Sequence, residues 1–161
     1  MTKDQSHPLS PDEYILRRVP VSPGNKLVNL DLSPPLNRVA FRPNEKDILG
    51  ISVFRELFVT PLRIAKKARK GPNSCYVVRL RVSDVRAAGF NAIPDPQADQ
   101  LPGHTLIPEI NFTSLQNDKE QSKVLQLKLA NLVTLNDIVF KPGQHKFLAR
   151  FVLFFRKLIL S

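Results

Sequence analysis

The sequence predicts a single small α+β domain. A mixed or antiparallel sheet packs against two main helices, and a C-terminal amphipathic tail helix follows. Three observations carry that reading. The 161-residue chain is 42% hydrophobic, enough for one globular core. Cys75–Val82 alternates like a strand buried on one side. Thr60–Gly71 carries both the start and the stop signals of a helix.

Taken in order, residues 1–11 are polar, contain two prolines and read as a flexible arm; residues 12–140 form the domain; residues 141–161 form the tail. Tyr14, Ile15 and Leu16 suggest a first strand that Pro20 interrupts. Leu27–Leu32 alternates well enough for a second, and Val39–Phe41 suggests a third. Ile48–Phe54 reads as a buried strand in which Gly50 marks a bulge or a close approach. Thr60 is a good N-cap, Pro61 suits the first helical position, and Gly71 can close the helix. In Cys75–Val82, Val78, Leu80 and Val82 face one way, and Val77, Arg79 and Arg81 the other. Ser83–Gly89 reads as a short helical segment capped by Ser83. Leu106–Ile110 is an edge strand at best, because Pro108 cannot donate to a ladder. Thr113 or Ser114 starts a helix running to about Val133, with Leu125, Leu129 and Leu132 as its apolar stripe.

The formal net charge of +10 is unevenly spread. Residues 46–90 hold ten basic and three acidic groups, net +7, whereas residues 91–120 are net −4. On the predicted helix, Arg63, Lys66, Lys67 and Lys70 fall at i, i+3, i+4 and i+7 and share one side. With Arg79 and Arg81 they form a candidate surface for an anionic partner, either nucleic acid or an acidic protein. The leading expectation is therefore a small intracellular binding or accessory protein rather than an enzyme.

The alternative is an enzyme acting on a phosphate-bearing, nucleotide-like substrate. Arg17 and Arg18 follow the first strand, Ser52 lies on a later one, and Glu109 ends an extended segment. This order loosely resembles the arrangement in ADP-ribosyltransferase-like enzymes. That resemblance implies that an arginine, Arg18 here, holds a phosphate, that Ser52 supports the pocket, and that Glu109 stabilises a sugar hydroxyl or developing charge. His104, after Gly103, adds a group suited to acid–base chemistry, because a histidine ordinarily titrates near neutrality.

The tail offers a third expectation. Lys146, Arg150 and Lys157 line one side of a predicted helix whose remaining surface, including Phe154, is largely apolar. Such a helix suits a membrane interface, the protein's own core or a homo-oligomer contact.

No cofactor is expected, since neither a phosphate-binding P-loop nor a dinucleotide fingerprint is present. No metal site is expected from three scattered histidines and one cysteine. Cys75 stands alone, so no internal disulfide forms, and the N-terminus carries no apolar targeting segment. A cytoplasmic location, with peripheral membrane contact through the tail, is the matching expectation.

Overall fold

The computed structural model describes residues 4–22, 24 and 26–143. The tail residues Lys146, Arg150, Phe154 and Lys157 lie outside the described residues.

The fold is α+β, built on one six-stranded antiparallel sheet. Its strands are β1 (Tyr14–Pro20), β2 (Ile51–Arg55), β3 (Cys75–Arg81), β4 (Ile93–Pro94), β5 (His104–Ile107) and β6 (Ile138–Phe140). Their order across the sheet is β4-β5-β2-β1-β3-β6. The helices are α1 (Pro61–Lys66), α2 (Val82–Ala87), α3 (Phe112–Asn117) and α4 (Lys119–Asn131).

The two faces of the sheet bury different clusters. Ile15, Val19, Ile51, Val53, Val78 and Leu80 join Leu129, Ala130 and Val133 in the larger core, beneath α4. Leu16, Val77 and Phe140 pack with Ile64 and Ala65 of α1 in the smaller one. Alternation along β1 and β3 sends successive side chains into these two cores, so the central strands are buried on both faces.

Several local expectations are corrected, each for a physical reason. Val39–Phe41 is not a strand: Arg38–Phe41 is a 3-10 turn, started by the Asn37 side chain accepting from the Val39 amide. Leu27–Leu32 contributes only an isolated bridge between Val28 and Leu36. β5 is internal, paired with β2 on one side and β4 on the other; Pro108 falls just past its end, where no ladder donor is needed. Ser83 lies inside α2 and does not cap it.

The expected helix from Thr113 to Val133 is two helices. Asn111 caps α3, and Asp118, held extended, ends α3 and caps α4 by accepting from the Gln121 amide. The apolar stripe of α4 is also broader and more polar than expected. Ser122 and Gln126 are buried alongside Leu129 and Ala130. The amide of Gln126 donates to Ser122 Oγ at 3.0 Å and accepts from Arg38 at 3.3 Å, so the buried polar pair is satisfied.

Residues 4–11, read from sequence as a flexible arm, are tied to the domain. Leu9 is 3% exposed and belongs to the larger core. Arg55, itself 3% exposed, donates to the carbonyls of Gln5 and His7 at 3.2 and 2.9 Å. Its remaining donors form a two-pronged pair with Glu13, both bonds 2.8 Å.

Glu13 should make stability pH-dependent. Burial raises its pKa, but the Arg55 hydrogen bond and the Ser10 amide outweigh that and hold it below the ordinary value of 4.5. A carboxylate depressed on folding stabilises the fold fully above its unfolded value, and the contribution fades as pH falls through the lower folded value. Denaturant midpoints measured from pH 6 downward should therefore fall more steeply below about 4.5 in the wild type than in Glu13→Gln. Parallel slopes would show that Glu13 carries no such linkage.

Candidate anion-binding cleft

The cleft begins where two strands part. β1 and β2 pair only at Ile15–Arg55 and Leu16–Phe54, while β1 continues along β3 as far as Pro20–Cys75. Past Leu16, backbone pairing between β1 and β2 gives way to a side chain: Arg17 Nη1 donates to the Ser52 carbonyl at 2.8 Å. Arg17 Nε is shielded from solvent and, among the described residues, has no hydrogen-bond partner. Burial lowers the pKa of this guanidinium, nearby Asp47 opposes that shift, and Arg18 adds to it. Arg17 is half-buried and Arg18 exposed, and both line the same cleft, so two guanidinium groups lie where an anion can meet them.

This opening leads into a cleft of about 1060 Å³, slightly beyond the roughly 300–1,000 Å³ usual for small-molecule sites. Six cationic side chains line it (Arg17, Arg18, Arg42, Lys46, Arg69 and Lys70) against two carboxylates, Asp47 and Asp95. Ile48 and Leu49 also line it, and they are 61% and 71% exposed. The cleft thus offers both charge and an apolar lip. At that lip Gly50 adopts φ +146°, and a Cβ there would lie 2.7 Å from the Ile107 carbonyl oxygen, so only glycine fits. The close approach expected at this position is present.

Ser52 and His104 meet in the cleft through adjacent strands. His104 Nε2 lies 3.0 Å from Ser52 Oγ. On the ring's other side, Nδ1 lies 2.8 Å from the Asp95 carbonyl oxygen and 3.1 Å from Asp95 Oδ2. A carbonyl oxygen only accepts, so Nδ1 carries a proton and donates to Asp95. In the neutral ring Nε2 is then the acceptor, and Ser52 Oγ–H donates to it. His104 is 4% exposed, held against Phe54 with ring centroids 5.5 Å apart. Gly103, at φ +76°, turns the chain into β5 so that the ring enters the cleft.

The arrangement of Asp95, His104 and Ser52 is that of an oriented base beside a hydroxyl. Asp95 was invisible as a partner in sequence. It comes opposite His104 only because β4 and β5 form a hairpin, in which Pro94 faces Thr105.

Glu109 is elsewhere. It is not among the residues lining the cleft, and its Oε1 accepts from the Asn91 backbone and side-chain amides at 3.0 and 2.6 Å. Of the four residues expected to form an enzyme site, Arg18, Ser52 and His104 share the cleft and Glu109 does not.

The basic segment is shorter as a helix than expected but still presents its charge. Thr60 caps α1 and Pro61 opens it, as expected, but the helix ends at Lys66 and the chain turns before Gly71. Arg63, Lys66, Lys67, Arg69 and Lys70 are all exposed. Among the described residues none of them forms an ion pair.

Arg63 and Lys67 line a second lobe of about 420 Å³, which shares Arg18, Phe54 and Gln100 with the main cleft. Arg79 and Arg81 are engaged within the fold. Arg79 stacks on Tyr14 at 4.4 Å and contacts Asp137, and Arg81 pairs with Asp12 at 2.5 Å.

Cys75 is 1% exposed, and burial raises its thiol pKa, partly offset by Arg18, as suits an inert core cysteine. Among the described residues no cluster of histidine, cysteine and carboxylate side chains could hold a metal ion. Nor is any helix among them long and apolar enough to cross a membrane.

No family model, curated protein or solved structure matches the chain.

Proposed function

We propose that the protein is an enzyme acting on a phosphate-bearing, nucleotide-like substrate held in the cleft between β1 and β2. The observation that carries this reading is the Ser52–His104–Asp95 hydrogen-bonded chain in a cleft that Arg17 and Arg18 also line. Arg17 and Arg18 hold the phosphate. The apolar lip of Ile48 and Leu49 receives a flat, weakly polar group such as a nucleobase, which inorganic phosphate lacks. Ser52 passes its proton to His104 Nε2 as its oxygen attacks the phosphorus and the bond from phosphorus to the leaving group breaks; water, deprotonated by the same imidazole, then hydrolyses the phosphoserine and restores Ser52. His104 returns the proton to the leaving group, and Asp95 keeps the ring in the tautomer that permits both steps. Without Glu109 in the cleft, the role that the ADP-ribosyltransferase resemblance gave to that carboxylate is unfilled.

The test is conversion of a panel of mono- and dinucleotides and nucleotide esters, followed by mass spectrometry. The wild type should convert at least one member. Ser52→Ala and His104→Ala should lower that conversion by at least about 100-fold, the scale of a lost acid–base group, while retaining substrate binding. Full conversion by either variant would overturn the assignment.

A binding or accessory role is the second reading, favoured by the exposed cations from Arg63 to Lys70, which form no ion pair among the described residues. Binding to an anionic macromolecule without any conversion in the panel would select it.

A further inference from the structure

We infer that the ligand is the end of a single-stranded nucleic acid, with its terminal nucleotide in the main cleft and its next phosphates along the second lobe and α1. This rests on the reading of the cleft as a nucleotide site.

Three features lead to it. First, the two lobes are continuous, because Arg18, Phe54 and Gln100 form walls of both. A ligand held by Arg18 in the main cleft already touches the entrance of the second lobe. Second, the second lobe is charged: Arg18, Arg63 and Lys67 line it against one carboxylate, Asp99. Its volume of about 420 Å³ is less than half that of the main cleft and has room for a phosphodiester unit. Third, one further cation, Lys66, adjoins the lobe. Arg63 and Lys67 lie four residues apart on one side, with Lys66 beside them, and all three are exposed without ion-pair partners among the described residues. A mononucleotide would leave this row unused, whereas a chain of phosphodiesters would follow it.

A single strand is favoured over a duplex by the cleft itself. A terminal nucleotide must leave its stack to reach Arg17, and an unpaired end does so at least cost.

The experiment compares two probes on the intact protein: AMP by calorimetry, and a 5′-phosphorylated hexaadenylate carrying a 3′ fluorophore by anisotropy. The hexamer should bind at least tenfold more tightly than AMP. Its log–log salt slope should be steeper by about 2, since each phosphate contact on a single strand contributes roughly −0.7. The double variant Arg63→Gln/Lys67→Gln should remove the hexamer's advantage over AMP, with an unchanged denaturant midpoint confirming the fold.

Equal affinities for the two probes, or a double variant that retains the hexamer's advantage, would overturn the inference while leaving the cleft reading intact. Failure of AMP to bind at all would instead remove the cleft reading on which the inference stands.

Discussion

Arg55→Met should destabilise the protein by about 3–5 kcal/mol, the usual cost of removing one partner of a buried ion pair. Methionine matches much of the arginine's apolar volume, so the loss is chiefly polar. The substitution strands the Glu13 carboxylate, 17% exposed, and the carbonyls of Gln5 and His7, all of which Arg55 now satisfies. It also removes the guanidinium from the Phe58 ring, 4.9 Å away. Pairing Arg55→Met with Glu13→Gln in a double-mutant cycle separates the two contributions. The double variant should recover part of the loss, because an uncharged partner no longer needs compensation. Urea unfolding followed by circular dichroism measures it, and a loss below about 1 kcal/mol would show that the ion pair has little net value.

Arg17→Gln should weaken the binding of a phosphate-bearing nucleotide by about 10- to 150-fold. A hydrogen bond to a charged group is worth roughly 1.5–3 kcal/mol, and each 1.4 kcal/mol is tenfold in affinity. Glutamine retains a donor that can meet the Ser52 carbonyl, so the strand separation at the cleft is preserved while the charge is removed. Arg17→Lys should fall between, since an ammonium keeps the charge but cannot serve the carbonyl and a phosphate in the arginine's forked geometry. Lys128→Gln, on α4 and outside the cleft lining, is the control for net charge alone. Calorimetric titration with AMP at two salt concentrations decides it, and an affinity in Arg17→Gln within twofold of the wild type would remove Arg17 from the site.

The parts of the fold set by local chemistry were legible in the chain. β3 was legible as a strand, although its second face, expected near solvent, buries Val77 in the smaller core, and Thr60 with Pro61 starts α1 by side-chain capping and a preset φ. Elsewhere single capping side chains decided. Val39–Phe41 is apolar enough for a strand, yet the Asn37 cap turns it into a 3-10 segment. Residues 113–133 contain neither proline nor glycine, and the break is marked only by Asp118 as an N-cap with Gln121 three residues on.

The candidate site divides the same way. Arg18, Ser52 and His104 are chemically conspicuous residue types and were named. Asp95 acquires its role from hairpin pairing, and Arg17 from the early end of the β1–β2 ladder, neither of which any residue spacing announces. Glu109 was suggested by order along the chain alone, and order does not place a side chain in a cleft.

The contact between Gln5 and Gly103 ties the beginning of the chain to the catalytic histidine proposed here. Gln5 Oε1 accepts from the Gly103 amide at 2.7 Å, one residue before His104, while the Gln5 carbonyl accepts from Arg55. The N-terminal segment therefore acts as a brace behind the imidazole. Any change that displaces Gln5 would be felt at Gly103, and through it in the seat of the His104 ring.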